Sequence, residues 1–340
     1  MKNKIIVIAE AGVNHNGSLR NAFQLIDKAE EAGADYIKFQ TFEAEKLVTS
    51  DLSLAEYQKN DSLNIKSQFQ LLKNLELTKA DHHELISYCG ERNISFLSSA
   101  FDMESLKFLI YNLDLDLIKI PSGEITNLPY LRVVGSQSKP IIMSTGMSTV
   151  QEISDAIKVL LSMGTKKSNI TLLHCNTAYP TPMEDVNLKA ISFLKKQFDI
   201  KVGFSDHTIG IEAPIAAVAI GASIIEKHFT LDKSMIGPDH AASLEPDELK
   251  KMITAIRNIT IALGKNEKNI TQSEKININK ARKSIVANNN LSRNEILTEN
   301  NMTTKRAEDG VSPMKWDLFI GKKINRDIYK NEIISESDIY

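Results

Sequence analysis

Cysteine is scarce. Cys89 and Cys175 are the only two in 340 residues, too few for a disulfide framework and in keeping with a reducing cytoplasm. Charge of neither sign is in excess: 41 Lys+Arg against 43 Asp+Glu leave a formal net charge of −2. No global field therefore draws the chain to nucleic acid or an anionic membrane, and an anionic ligand must be met by local charges. No stretch approaches the roughly 20 apolar residues of a membrane span. The apolar start at Ile5 meets Glu10 too early for a secretory signal. A CxxC pair is missing, and with it the usual structural zinc site. So is the glycine-rich dinucleotide turn, since GVNHNG (12–17) after the first apolar run does not match it. The expectation is a cytoplasmic protein that binds neither nucleic acid nor membrane.

What the chain does contain is a rhythm. Short runs rich in Ile, Val and Phe recur at IIVIAE (5–10), DYIKFQT (35–41), SFLSS (95–99), LIKIPS (117–122), PIIMST (140–145), ITLLHC (170–175), KVGFSD (201–206) and SIIEKHF (223–229). They are apolar nearly throughout, as parallel strands buried on both faces should be. Amphipathic segments lie between them. In the first, Ser18 is an N-cap, Leu19, Ala22, Phe23, Ile26 and Ala29 keep helical spacing, and Gly33 offers a left-handed C-cap. Others begin near Thr78, Met103, Thr149, Asn187, Glu212 and Pro246. This alternation predicts an α/β fold, a (β/α)8 TIM barrel over 1–264. Segment 43–66 is long for a connection after a strand and is expected to overhang the mouth. A Lys- and Asn-rich linker follows at 265–281. The remainder, 282–340, carries a weak repeat in which SRNEILTENNM (292–302) and YKNEIISESDI (329–339) share N-E-I-[LI]-[TS]-E. With the short strands SIVA and MTTKR it reads as a small β-rich domain of approximate twofold character.

In a (β/α)8 barrel the active site lies at the C-terminal strand ends, and every strand end here carries polar residues. Burying such groups is costly unless they are paired, so their clustering argues for a site. His207 and His228 end adjacent strands. Two neutral imidazoles with open positions suit a catalytic divalent ion such as Mn2+, Mg2+, Co2+ or Zn2+. For each histidine alone a hydrogen-bonding role is equally compatible. His174 reads as a structural donor, His82 and His83 as solvated residues of an outer helix, and Cys175 as a small strand residue. Lys38 and Lys119 are the cations at strand ends. Either could be a Schiff-base amine, or both could hold a phosphate or carboxylate with Ser99, Ser122, Ser144 and Ser205 as hydroxyl donors. The number of cations and hydroxyls favours anion binding. Glu10, Glu124 and Asp239, with Gln40, suit a neutral sugar, and a carboxylate among them can move protons.

These residues sit in motifs that run in order almost end to end: IAEAGVNHNGS, KFQTF, KIPSGEITNLPYL, STGM, LLHCNTAYPTPMEDVNL, GFSDHT, EKHFT, GPDH and TTKR. In them the chain resembles the sialic acid synthase family, phosphoenolpyruvate-dependent synthases of nine-carbon α-keto sugar acids. The resemblance implies a barrel followed by a small antifreeze-like (SAF, β-clip) domain. It implies that His207 and His228 ligate a divalent metal, Mn2+ ahead of Mg2+ or Co2+. Lys38, Ser99, Lys119, Ser122, Ser144 and Ser205 would surround phosphoenolpyruvate, while Glu10, Gln40, Glu124, Tyr179 and Asp239 would hold the amino sugar. Glu10, Lys38, Lys119 and Glu124 are the implied catalytic set. Arg306 of TTKR corresponds to an arginine that the antifreeze-like domain of one subunit inserts into its partner's barrel, where it meets the N-acetyl group, so a homodimer is implied. The family usually continues with Pro-Gly-Asn-Gly, whereas this chain has Ala307-Glu308-Asp309-Gly310. The implied reaction is a carbon–carbon bond-forming transfer: C3 of the enol attacks an open-chain aldehyde, water adds at C2 and phosphate leaves. The stretch DHTIGIEAPIAAVAIGASIIEKHFTLDK leans toward the legionaminic type over the neuraminic, with the pseudaminic type as alternative. Readings of other classes are a Schiff-base pyruvate aldolase and a non-catalytic carbohydrate-binding protein.

Overall fold

Eight parallel strands hydrogen-bond in chain order and close into a barrel. They are β1 (Ile6–Gly12), β2 (Tyr36–Thr41), β3 (Ser95–Ala100), β4 (Ile118–Ile120), β5 (Ile141–Ser144), β6 (Ile170–His174), β7 (Lys201–Asp206) and β8 (Ile224–His228). The computed structural model describes residues 4–49, 52–54 and 67–340. Ten helices of this first unit lie among the described residues: α1 (Leu19–Ala32), α2 (Ala44–Leu47), α3 (Gln68–Lys73), α4 (Lys79–Glu91), α5 (Met103–Lys107), α6 (Leu128–Gly135), α7 (Val150–Ser162), α8 (Lys189–Phe198), α9 (Glu212–Ala219) and α10 (Pro246–Ala262). The α/β fold class expected from the apolar rhythm is the one observed.

Local chemistry sets the element ends. The Ser18 side chain accepts from the Asn21 amide to start α1, and Gly33 closes it at φ 85°. Thr78 and Thr149 form capping boxes with Asp81 and Glu152 at the starts of α4 and α7. Outward side chains such as Val7, Phe39, Ile120, Met143 and Ile225 pack on helical residues including Leu25, Leu85, Leu131, Ile153 and Ile253.

Two expectations need correction. The helical spacing in the sequence marks no helix between the fourth and fifth strands, yet α6 lies there, started by the Asn127 side chain and burying Tyr130, Leu131 and Val134. A Pro inside the first turn is compatible with a helix start, because the amide it lacks would have no partner there. His82, expected in solvent, is 1 % exposed. It shares the inward face of α4 with Leu85 and Cys89 at helical spacing. Its Nδ1 donates to the Thr78 carbonyl at 2.8 Å and its Nε2 accepts from Thr41 Oγ1 at 2.7 Å. His83 is exposed. The expected overhang at 43–66 falls largely on residues outside those described; the flanks pack through Phe42, Leu71 and Leu75 on Val13.

A second compact unit spans Lys265–Tyr340, the first ending at Gly264. It begins with α11 (Gln272–Ala281) and pairs β9 (Lys283–Ala287) with β10 (Met302–Arg306) antiparallel around a core of Ile285, Leu297, Phe319, Ile324 and Ile334. The repeat is built twice in space. Asn294 and Asn331 both take left-handed backbone, at φ 72° and 71°. Glu295 accepts from Ser292 N as Glu332 does from Tyr329 N, at 2.9 and 2.8 Å. Asn301 accepts from Thr298 N as Asp338 does from Ser335 N, at 2.7 and 2.9 Å.

Candidate active site

Side chains alternate along a strand, and that period builds the site. Ile8, Leu97, Ile142, Leu173 and Ile224 form an apolar layer inside the barrel, with Tyr36 and Leu117 packed against it. Two residues further along each strand, facing the same way, come Glu10, Lys38, Ser99, Lys119, Ser144, Cys175 and Glu226. On β7 the inward position of the apolar layer is Gly203, where a Cβ would stand 2.6 Å from Leu173 and 2.8 Å from Ile224 Cβ; Ser205 follows it. A dry apolar plug thus carries a polar floor.

Above that floor opens a cavity of about 360 Å3. Of the residues expected to form the site, Glu10, Lys38, Gln40, Ser99, Lys119, Ser122, Ser144, Tyr179, Ser205, His207 and His228 all line it, together with Cys175 and Glu226. Glu124 lies just outside, on the turn Ser122–Glu124, where Asn127 donates to it at 2.6 Å. Asp239 is buried 3.7 Å from His228 Nδ1. Arg306 is exposed at the end of β10 in the second unit.

Lys38 Nζ lies 2.8 Å from Glu10 Oε2 and donates to Ser99 Oγ at 3.1 Å. Lys119 Nζ donates to Ser144 Oγ at 2.8 Å. Between the two ammonium groups stands Glu226, 3.8 Å from Lys38 and 3.6 Å from Lys119, accepting from Ser205 Oγ at 2.9 Å. The sequence places Glu226 at a strand end without pointing to a role for it. A signal is nevertheless present: in Glu226-Lys227-His228 the outer two share a face, so a residue two before a candidate ligand enters the same cavity.

Burial and pairing divide these groups. Burial depresses Lys38, but the carboxylates of Glu10 and Glu226 outweigh it and hold the ammonium above its ordinary range. Burial, with repulsion from Lys38, takes Lys119 below its ordinary range although Glu226 opposes. Glu226 is the mirror case, where burial loses to Lys119 and Lys38 and the carboxyl is held low. Burial pushes Glu10 up to about 7 against the pull of Lys38. Asp239 is pushed up to about 6 by burial. Lys38, firmly charged, is a poor Schiff-base amine.

The two histidines are 5.4 Å apart between ring centroids, with Tyr179 4.2 Å from His207. His207 Nδ1 bonds the Asn176 carbonyl, which can only accept, so this nitrogen carries the proton and Nε2 keeps a lone pair. His228 Nδ1 is buried without a hydrogen-bond partner. Burial keeps both rings below the usual imidazole range, His228 well below it, hence neutral. Two neutral rings, one with an orphaned buried nitrogen, fit a divalent ion with open positions. Among the described residues no cluster of three or more His, Cys, Asp or Glu has metal-binding geometry, so such an ion would complete its shell from solvent or substrate. His174 Nε2 bonds the Val186 carbonyl at 2.8 Å and the ring stacks on Phe204, a structural placement.

A sequence profile of the NeuB family matches residues 25–268, and one of the SAF domain matches 282–339. The N,N'-diacetyllegionaminic acid synthase of Campylobacter jejuni is 50 % identical over 333 residues, 98 % of this chain and 99 % of its own. The enzyme of the same name from Legionella pneumophila is 42 % identical over 95 % of this chain and 91 % of its own. Among solved structures, the N-acetylneuraminic acid synthetase of Leptospira borgpetersenii has a TM-score of 0.72 at 34 % identity, over 82 % of this chain and 91 % of that one. No described helix is long and apolar enough to cross a membrane.

Proposed function

Because the chain belongs to the NeuB family, we propose that it condenses phosphoenolpyruvate with the open-chain form of an N-acylated amino sugar, releasing phosphate and a nonulosonic acid. The 50 % identity to a legionaminic acid synthase favours 2,4-diacetamido-2,4,6-trideoxymannose as the sugar, ahead of N-acetylmannosamine and the altrose isomer of the pseudaminic route. The observation that carries the reading is the cavity lining, where two buried lysines and four serines oppose carboxylates.

Lys38 and Lys119, with Ser99, Ser122, Ser144 and Ser205, hold the anionic groups of phosphoenolpyruvate. Glu10, Gln40, Glu124, Tyr179 and Asp239 hold the sugar and present its aldehyde carbon to C3 of the enol. Bond formation there and addition of water at C2 give an adduct from which phosphate leaves. The barrel supplies alignment of two substrates, and the lysines stabilise charge in a water-poor site. His207 and His228 would hold a divalent ion, Mn2+ in preference to Mg2+ or Co2+, which supplies Lewis-acid polarisation of the aldehyde. The working form is a cytoplasmic homodimer in which Arg306 reaches the partner's sugar; sedimentation of the full chain as a monomer would remove that part.

Phosphate release from phosphoenolpyruvate with Mn2+, scanned across the three sugars, tests the reading. The highest kcat/KM is expected for the trideoxymannose. Release with none of them, together with borohydride trapping of pyruvate on Lys119, would replace it by a Schiff-base aldolase.

A further inference from the structure

Asp206 and Lys227 lie beside the two histidines in sequence, yet both face away from the cavity. Strand alternation turns Ser205 and His207 of the β7 end inward and Asp206 and Thr208 outward; at the end of β8, Glu226 and His228 point in and Lys227 points out. In the register of the two strands Ser205 faces Glu226 and Asp206 faces Lys227. The outward pair is an ion pair with Nζ and Oδ2 2.6 Å apart and neither side chain exposed. Lys227 Nζ also bonds the Thr208 carbonyl. Asp206 in turn accepts from the Thr208 amide at 3.0 Å and from its hydroxyl at 3.1 Å.

These four contacts bracket His207. The residue before it and both backbone polar groups of the residue after it are tied to one buried cluster, and that cluster is anchored on the residue immediately before His228. A turn of either histidine backbone would pull on a buried ion pair and its hydrogen bonds. An isolated buried ion pair adds little net stability, because desolvation offsets its attraction, and apolar residues of similar volume serve the core as well or better. Stability alone therefore does not account for a full ion pair at this point of the barrel wall. Geometry does: the pair crosses the seam between the two strands that carry the imidazoles.

We propose that Asp206 and Lys227 are positioning residues that set the spacing and orientation of His207 and His228 for a divalent ion. This rests on the metal reading above, and the experiment separates the two. Mn2+ alone is titrated into the metal-free full chain and free Mn2+ is followed by electron paramagnetic resonance, with thermal unfolding of the metal-free protein measured in parallel. Asp206→Leu combined with Lys227→Met keeps the volume and removes the charges. Its unfolding midpoint should equal or exceed that of the parent, while its Mn2+ affinity falls about tenfold or more, the size of effect seen when partners of metal ligands are lost. A double variant that binds Mn2+ within about twofold of the parent, alongside a His207→Ala variant that has lost binding, overturns the positioning role and leaves the metal site standing. A His207→Ala variant that binds as the parent does overturns both. Should the double variant fail to fold, Thr208→Val decides. It deletes one hydroxyl bond to Asp206; weaker Mn2+ binding with an unchanged unfolding midpoint supports the role, and unchanged binding overturns it.

Discussion

Glu226 stands between the two cavity lysines and is shared by both, with Glu10 pairing Lys38 as well. A phosphate or carboxylate bound at Lys38 and Lys119, as proposed, would take up part of that role, which gives the residue a test of its own. Glu226→Ala should destabilise the protein by about 3–5 kcal/mol, since a buried charge pair is broken from one side. Inorganic phosphate should raise the unfolding midpoint of the variant more than that of the parent, because the anion stands in for the missing carboxylate; equal shifts would count against the anion site. His207→Ala or His228→Ala should lower metal-dependent kcat by at least about a hundredfold, the upper end of what losing a mere partner of a ligand costs. Near-normal turnover in either removes it from the ligand set. Most of these side chains were legible from position at a strand end. The centrality of Glu226 was not, because a sequence does not say that its carboxylate reaches two lysines from other strands. His82 was legible and misread: Leu85 and Cys89 at its helical spacing marked the inward face.

At the scale of elements, the eight strands were readable because burial on both faces leaves nearly unbroken apolar runs. Helix α6 was not read, although the Asn127 cap and the helical spacing of Tyr130, Leu131 and Val134 were there to be found. The repeat in the second unit makes a paired prediction. Asn294 and Asn331 adopt matching left-handed conformations, which a residue with a bulkier Cβ substituent disfavours by about 1–2 kcal/mol. Asn294→Val and Asn331→Val should each lower the stability of the second unit by that amount, and glycine at either place should leave it nearly unchanged. Urea unfolding of the four variants checks this. Unequal losses would mean that the repeat is one of sequence without equivalent energetics.

Across the whole molecule, His15, His82, His174, His207, His228 and His240 are all held below the usual imidazole range, burial being the leading cause in each. Burial pushes His15 and His240 down to about 4 from an ordinary 6.5. Between those values the unfolded chain binds protons that the folded chain refuses, so the contribution of these two rings should be constant above pH 6.5 and be lost as the pH is lowered toward 4. Glu10 and Asp239, pushed up to about 7 and about 6, act the other way, taking protons in the folded state first. They nearly offset His15 and His240, so the effect is read from a variant of one ring. Each of His15 and His240 contributes on the order of 3 kcal/mol to that loss, because a tenfold difference in proton affinity between the folded and unfolded chain is worth about 1.36 kcal/mol. Urea midpoints from pH 7 to 4 for the parent and for His15→Asn check the sign: relative to the parent, the variant should gain stability as the pH falls. What the sequence by itself determined was the barrel and the chemistry of its mouth, because strand burial and the two-residue period are local and repeat eight times. Only the tertiary structure decided which charges meet. Glu226 between Lys38 and Lys119, His82 against Thr41, and Asp206 on Lys227 are contacts across strands and helices, and their free energies depend on distance and burial that no local pattern encodes.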